Sequence, residues 1–221
     1  RIRVTVTNNN VIWWNGKLVP WAKATVHVTS DTAQRGLNVF EGVRAYWRPE
    51  THAFAILGIA AHLSRLADSC RILSLPACDI LPRFRQGLFD LLRSIPDPSS
   101  VYLRPTVYVV RGGYEVDPSR IELGAFISWR REQSCQDRSI SCIVSKWTRI
   151  PAQSLPSNAK IGAAYTAFRM ARLEALSSGR DEAILLNERG RIAETGGGSV
   201  FAIKDGVVLT PPLDEGILPS I

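Results

Sequence analysis

The sequence predicts an α+β fold. The first half is dominated by short segments of strand pattern, and two helix-period stripes follow one another there instead of alternating with strands. The chain has 221 residues, 45% hydrophobic and 21% charged, enough for one large domain or two small ones.

Residues 1–8 alternate Ile2, Val4 and Val6 with polar positions, a strand signal. Val11-Ile-Trp-Trp14, Asn15-Gly16 and Lys17-Leu-Val19 predict a hairpin, because Asn-Gly suits a type I′ turn. Further strands are expected at Thr25-Val-His-Val28 and over 43–47, with Phe54-Ala-Ile-Leu57 pairing with the latter. Ile59, Leu63, Leu66, Cys70 and Leu73 mark one helix face, and Arg65 falls on its flank, free to reach inward or to be solvated. Asp79 is expected to cap a second helix carrying Phe84, Leu88, Leu91 and Ile95, which Pro96-Asp-Pro-Ser-Ser100 ends. Strands follow over 101–110, 121–129 and 139–147, and the polar stretch 130–138 is the expected linker between domains. Later strands are expected over 182–186, 199–203 and 207–209, the last two joined by an Asp205-Gly206 turn.

Between these lies Pro156-Ser-Asn-Ala-Lys-Ile-Gly-Ala-Ala-Tyr165. It leads into a helix-period run of Ile161, Ala164, Phe168, Ala171 and Ala175, which Gly179 stops. Lys160 thus stands at a helix start among small residues. A lysine in apolar surroundings loses hydration, which disfavours its charged form and makes the amine nucleophilic, as a Schiff-base lysine requires. An ordinary surface lysine is the alternative that this segment alone leaves open.

The net charge of +7 and pI near 9.6 invite a nucleic-acid reading. The basic residues are scattered, however, with no aromatic-basic repeat, so no nucleic-acid partner is expected; the excess suits anionic ligands instead. Cys70, Cys78, Cys135 and Cys142 form no C-x-x-C pair, and only three histidines accompany them. No metal and no disulfide framework are therefore expected, and the setting is expected to be reducing and cytoplasmic. No signal peptide or membrane-spanning run is recognised, and no G-x-S-x-G elbow supports hydrolase chemistry. A start at Arg1 rather than Met suggests that a few leading residues are missing.

Six segments come in a telling order: Phe40-Glu-Gly-Val-Arg-Ala-Tyr46, His62-Leu-Ser-Arg-Leu66, Tyr102-Leu-Arg-Pro105, Ala159-Lys-Ile-Gly-Ala-Ala-Tyr165, Arg191-Ile-Ala-Glu-Thr195 and Gly206-Val-Val-Leu-Thr-Pro-Pro212. In that order and spacing the chain resembles the fold-type-IV pyridoxal-phosphate enzymes, and most the branched-chain-amino-acid aminotransferases, over nearly its whole length. The resemblance implies a small α+β domain over 1–132, a linker over 133–138, and over 139–221 the first part of a larger barrel-like, cofactor-binding domain. The family normally continues well past Ile221, so relative to it the fold is incomplete at the C-terminus.

The resemblance also implies roles. Lys160 would form the aldimine with pyridoxal 5′-phosphate and shuttle the proton. Glu194 would hold the ring nitrogen, Tyr165 the phenolate oxygen, and Arg65 the phosphate together with backbone N–H groups of Gly216, Ile217 and Leu218. Phe40, Arg44, Tyr102 and Arg104 would line the substrate pocket, with Arg104 a candidate for a substrate or 2-oxoglutarate carboxylate. Two departures bear on the substrate: Gln34-Arg35-Gly36 stands where relatives carry an aromatic residue, putting Arg35 beside the substrate, and Ser199 replaces the usual Asn after the glycine-rich turn.

The implied reaction is ping-pong transfer of an amino group from a branched-chain amino acid to a 2-oxo acid. Alternatives are a relative acting on D-amino acids, amines or aminodeoxychorismate, which Arg35 favours, and a non-catalytic homologue that binds a phosphate ligand. A homodimer is expected, burying parts of the N-terminal strands and the loop over 29–38. Trp13, Trp14 and Trp21 are candidates for that surface or for the core.

Overall fold

The computed structural model describes residues 11–132 and 139–221. The strand expected over 1–8 and the linker expected over 133–138 lie outside the described residues. Contacts divide the chain into two compact units, 1–133 and 134–221.

The first unit is an antiparallel sheet of seven strands backed by two long helices. Strands β1 (Val11–Trp14) and β2 (Lys17–Pro20) form the expected hairpin, with positive φ at both Asn15 and Gly16. Next come α1 (Asp31–Arg35), β3 (Asn38–Phe40), β4 (Val43–Arg48) and β5 (Ala53–Ile56). Helices α2 (Ile59–Ile72) and α3 (Leu81–Arg93) follow, then the long strands β6 (Val101–Arg111) and β7 (Glu122–Arg131). The sheet order is β2-β1-β7-β6-β4-β5, and β3 also pairs with β6. β3 and β4 lie end to end along β6, Phe40 opposite Thr106 and Val43 opposite Leu103. At Gly42 between them a Cβ would stand 2.4 Å from the Tyr102 hydroxyl, so only glycine lets that ring close over the junction.

Phe84, Leu88 and Leu91 of α3, and Ile95 just past its end, are all buried, as the period predicts. The helix lies so close to β1 that Gly87 sits under the Trp13 indole, while Phe84 meets the same ring at 5.5 Å between centroids. Trp13 is therefore a core residue, and of the three early tryptophans only Trp21 is largely exposed.

Some local expectations are corrected. Thr25–Val28 forms no strand; the Thr29 N–H and hydroxyl bond the His27 ring and Ser30 N–H returns to His27 O, closing local turns instead of a ladder. Asp79 does not cap α3: the N–H groups of Ile80 and Leu81 turn back to Ala77 O, and Ile80 is the capping residue without a side-chain bond. The face of α2 is rotated from the apolar stripe. His62, Leu66, Ser69 and Cys70 are buried, whereas Ile59, Leu63 and Leu73 are only half-buried.

The cause of that rotation is Glu41, wholly buried at the β3–β4 junction. Its carboxylate accepts from Arg65 Nε at 2.6 Å and Nη2 at 2.8 Å, and bonds His62 Nδ1 at 2.8 Å. An uncompensated buried carboxylate is costly, so the polar flank of α2 turns inward to meet it. Burial alone would raise the Glu41 carboxyl's pKa, but the Arg65 and His62 bonds and charges outweigh that and hold it below the ordinary glutamate range.

In the second unit, β8 (Cys142–Val144) pairs in parallel with β9 (Glu182–Leu186), which pairs antiparallel with β10 (Ile192–Thr195). The strand expected over 139–147 is thus shorter than its pattern. The β8–β9 crossover carries a 3₁₀ turn, Gly162–Ala164, and α4 (Tyr165–Ser177), ended by Gly179 at φ +70°. Phe168, Ala171 and Ala175 of α4 pack on Ala183 and Leu185 of β9. An exposed hairpin of β11 (Ala202–Lys204) and β12 (Val207–Leu209) turns at Asp205-Gly206 as expected, although β11 begins later than position 199.

Two outcomes follow. Gly87→Ala, which would place a Cβ 2.6 Å from the Trp13 indole, should lower stability by about 1–3 kcal/mol despite alanine's helix propensity; an unchanged or raised midpoint in denaturant melts would refute the close packing. Glu41 stabilises the folded state above the ordinary carboxyl range, and that contribution is lost as pH falls through its depressed folded-state value. Glu41→Gln should therefore be destabilised by about 3 kcal/mol at neutral pH and show a flatter acid limb in urea melts; a limb parallel to wild type would contradict this.

Candidate active site

In the second unit the site residues are set by the β8–β9 crossover and by β10. Ala159 and Ile161 are buried on either side of Lys160, which fixes the backbone there, while Lys160 itself is half-buried ahead of the 3₁₀ turn. Lys160 Nζ lies 5.6 Å from the centre of the Tyr165 ring. Tyr165 meets Phe168 edge-on at 5.2 Å, one helical turn later on α4. The Arg149 guanidinium stands 5.2 Å from the other ring centre, Phe168, and its Nε donates to Glu194 Oε1. A continuous wall thus runs from the Lys160 amine through two aromatic rings and a cation to the Glu194 carboxylate.

Glu194 is 8% exposed and Arg149 5%. A carboxylate so placed needs a fixed cation, and arginine's planar fork is permanently charged. Arg149 is itself anchored by its N–H to Leu186 O at 2.8 Å. Sequence reasoning missed Arg149, because the irregular stretch Trp147-Thr-Arg149-Ile carries neither period nor motif. After Glu194, Thr195 Oγ1 accepts from the N–H groups of Gly197 and Gly198, folding the glycine-rich turn tightly. A Cβ at Gly196 would come within 3.2 Å of Phe168 Cβ, so that turn lies against the same wall. Ser199 shares a 2.7 Å hydrogen bond with Ser220.

The segment of Gly216 and Ile217 follows a 3₁₀ turn, Leu213–Glu215, and Gly216 is left-handed at φ 77°. Gly216 N–H turns back to Leu213 O at 3.1 Å, and Leu218 N–H reaches toward Glu194 Oε2 at 3.4 Å. The intervening Ile217 N–H makes no hydrogen bond among the described residues, although Ile217 is 8% exposed. A backbone donor without a protein partner, beside a left-handed glycine, fits an anion.

The first unit holds the other predicted residues. Arg65 spends Nε and Nη2 on Glu41, an acid the sequence reading passed over within its own Phe40-Glu-Gly motif. Phe40 is buried, and the Arg104 guanidinium carbon stands 3.6 Å from its ring centre. Arg44 stands opposite Tyr102 in the β4–β6 register and pairs with Glu132, while Arg130 covers the Tyr102 ring at 4.7 Å. Arg35, at the end of α1, pairs with Asp31 one turn earlier and lies 5.1 Å from the Tyr114 ring centre.

The donor set suits pyridoxal phosphate in chemistry: a half-buried lysine, a buried carboxylate with a fixed cation, and, in an anion-type turn, an N–H with no partner among the described residues. Comparison with known proteins points the same way. Residues 38–221 match the amino-transferase class IV family. The branched-chain-amino-acid aminotransferase of Salmonella typhimurium is 32% identical over 226 residues, covering 99% of this chain and 72% of that protein. The branched-chain aminotransferase of Thermoproteus uzoniensis, solved with norvaline, superposes with a TM-score of 0.88 at 30% identity over 96% of this chain and 71% of that one. The Thermobaculum terrenum enzyme in its PLP form gives 0.87 at 33% identity over 97% and 70%. With site chemistry, sequence and fold agreeing, the chain belongs to the class IV amino-transferases, the fold-type-IV aminotransferases, and is similar over nearly its whole length to their branched-chain-amino-acid members.

Proposed function

We propose that this aminotransferase moves the amino group of a branched-chain amino acid to a 2-oxo acid such as 2-oxoglutarate, in two half-reactions that share one lysine. The observation that carries this reading is the wall joining Lys160 to Glu194 through Tyr165, Phe168 and Arg149. Pyridoxal phosphate, when bound, supplies an aldehyde that condenses with amines and a ring that accepts electrons from the substrate Cα.

The chain's own residues would do the rest. Lys160 Nζ would hold the cofactor aldehyde and would carry the proton at the substrate Cα, a dual use that suits a half-buried amine at a fixed backbone position. The Glu194 carboxylate would face the ring nitrogen, with Arg149 keeping its orientation. Tyr165 would donate to the ring's phenolate oxygen, and the phosphate roles implied by the resemblance would fall to Arg65 and the Gly216-Ile217 turn. Phe40, Arg44 and Tyr102 would line the substrate pocket, Phe40 as apolar wall, with Arg104 the cation for a carboxylate. Branched-chain substrates are favoured over the D-amino acid, amine and aminodeoxychorismate alternatives because Arg35, the residue that pointed to those, has Asp31 and the Tyr114 ring as partners within its own surroundings.

Pyridoxal phosphate added to the purified chain should give a visible absorbance band that borohydride fixes on Lys160. Leucine, valine or glutamate should then discharge the band with release of the matching 2-oxo acid; a band indifferent to every amino donor rules the reading out. Lys160→Ala should abolish both signals without lowering the melting temperature. Arg149→Met, which strands Glu194 without its cation, should weaken cofactor binding by roughly tenfold or more, measured by absorbance titration. Wild-type affinity in that variant would show that the ion pair has no part in holding the ring.

A further inference from the structure

Glu215 is a buried acid for which the proposed chemistry has no use. It is 4% exposed, yet its carboxylate gathers three side chains from the β9–β10 turn: Arg191 Nη1 at 2.8 Å, Arg189 Nη2 at 2.7 Å and Asn187 Nδ2 at 2.5 Å. The same donors also reach the backbone, Arg189 Nη2 to Asp214 O at 2.7 Å and Asn187 Nδ2 to Glu215 O at 3.3 Å. Asn187 is buried too, and its Oδ1 accepts the N–H groups of Arg189 and Arg191, so one amide shapes the hairpin turn and grips Glu215. The Arg191 bond, opposed by desolvation and aided by Asn187 and Arg189, holds the Glu215 carboxyl below the ordinary glutamate range, so the clasp is charged at neutral pH.

What this clasp holds is informative. One side is the turn that leads directly into β10 and Glu194; the other is the 3₁₀ turn that leads directly into Gly216 and the Ile217 N–H. Leu218 N–H then returns toward Glu194 Oε2. Two cations and a buried amide on one carboxylate exceed what a three-residue surface turn needs to close. They also cost side-chain entropy, which a fixed relation between two functional groups justifies.

We propose that Glu215 is a positioning residue, whose clasp on Asn187, Arg189 and Arg191 locks the 213–218 turn to the strand bearing Glu194 and so holds the Ile217 N–H ready for the cofactor phosphate. This rests on the pyridoxal-phosphate reading above and deepens it. The groups proposed for the two ends of the cofactor, Glu194 and the Ile217 N–H, would thereby be spaced by one carboxylate.

The test compares pyridoxal phosphate with pyridoxal, which lacks the phosphate, as ligands of the full chain freed of cofactor. In Glu215→Ala the preference for the phosphate form should fall roughly tenfold, because only the phosphate end is released. Arg191→Met, which removes one exposed arm of the clasp, should lower the same preference by a smaller factor and serves where Glu215→Ala does not fold. A parallel loss of affinity for both ligands, or an unchanged preference in the folded variants, overturns the proposal by making Glu215 merely structural or inert. If the wild type binds neither ligand, the cofactor reading fails and the positioning role fails with it. A wild type that binds both, beside variants of unchanged preference, overturns the positioning role alone.

Discussion

A carboxylate removed from water must have its charge answered, and the Glu194–Arg149 pair is where this constraint organises the second unit. Arg149 must be buried to reach Glu194, its backbone must be tied to Leu186, and its guanidinium must find a surface, which Phe168 provides. Phe168 in turn sets the closeness of the glycine-rich turn and, with Tyr165, the path back to Lys160. Replacing such a pair with apolar side chains would often be neutral for stability. Its presence accords better with the role proposed for Glu194 than with folding alone.

The same solution recurs twice. Glu41 is answered by Arg65 and His62, and Glu215 by Arg189, Arg191 and Asn187. Each acid joins segments distant in sequence: the β3–β4 junction to α2, and the β9–β10 turn to the turn before Gly216. In each case the joined segment carries a residue proposed to bind the cofactor, Arg65 in one and Ile217 in the other. Buried glutamates thus act as spacers, converting a fold held by apolar packing into one with defined positions for polar groups.

The elements whose apolar period decides their burial were legible. The stripe of Phe84, Leu88, Leu91 and Ile95, which runs just past α3, and the α4 stripe of Phe168, Ala171 and Ala175 are buried as their spacing demands. The Asn15-Gly16 and Asp205-Gly206 turns have the positive φ values their residues accept easily. Legibility failed where a local bond outweighed the pattern. Val26 and Val28 alternate like a strand, but His27 and Thr29 close their own turn. Helix α1 went unforeseen, although Ser30 caps it and Gly36 ends it at φ 67°, because five residues carry too little period to recognise.

The sequence alone determined the α+β class, the long helices, the tight turns and the family, because these depend on periodicity, turn chemistry and ordered motifs. It also named Lys160, Tyr165 and Glu194 as residues to be related, without showing what relates them. Only the tertiary structure decided that Arg149 answers Glu194, that Glu41 draws the polar flank of α2 inward, and that Glu215 ties the last turn to β10. Those pairings span 45, 24 and 24–28 residues of chain. No local pattern encodes them, because a charge chooses its partner only after burial has removed the water that would otherwise solvate it.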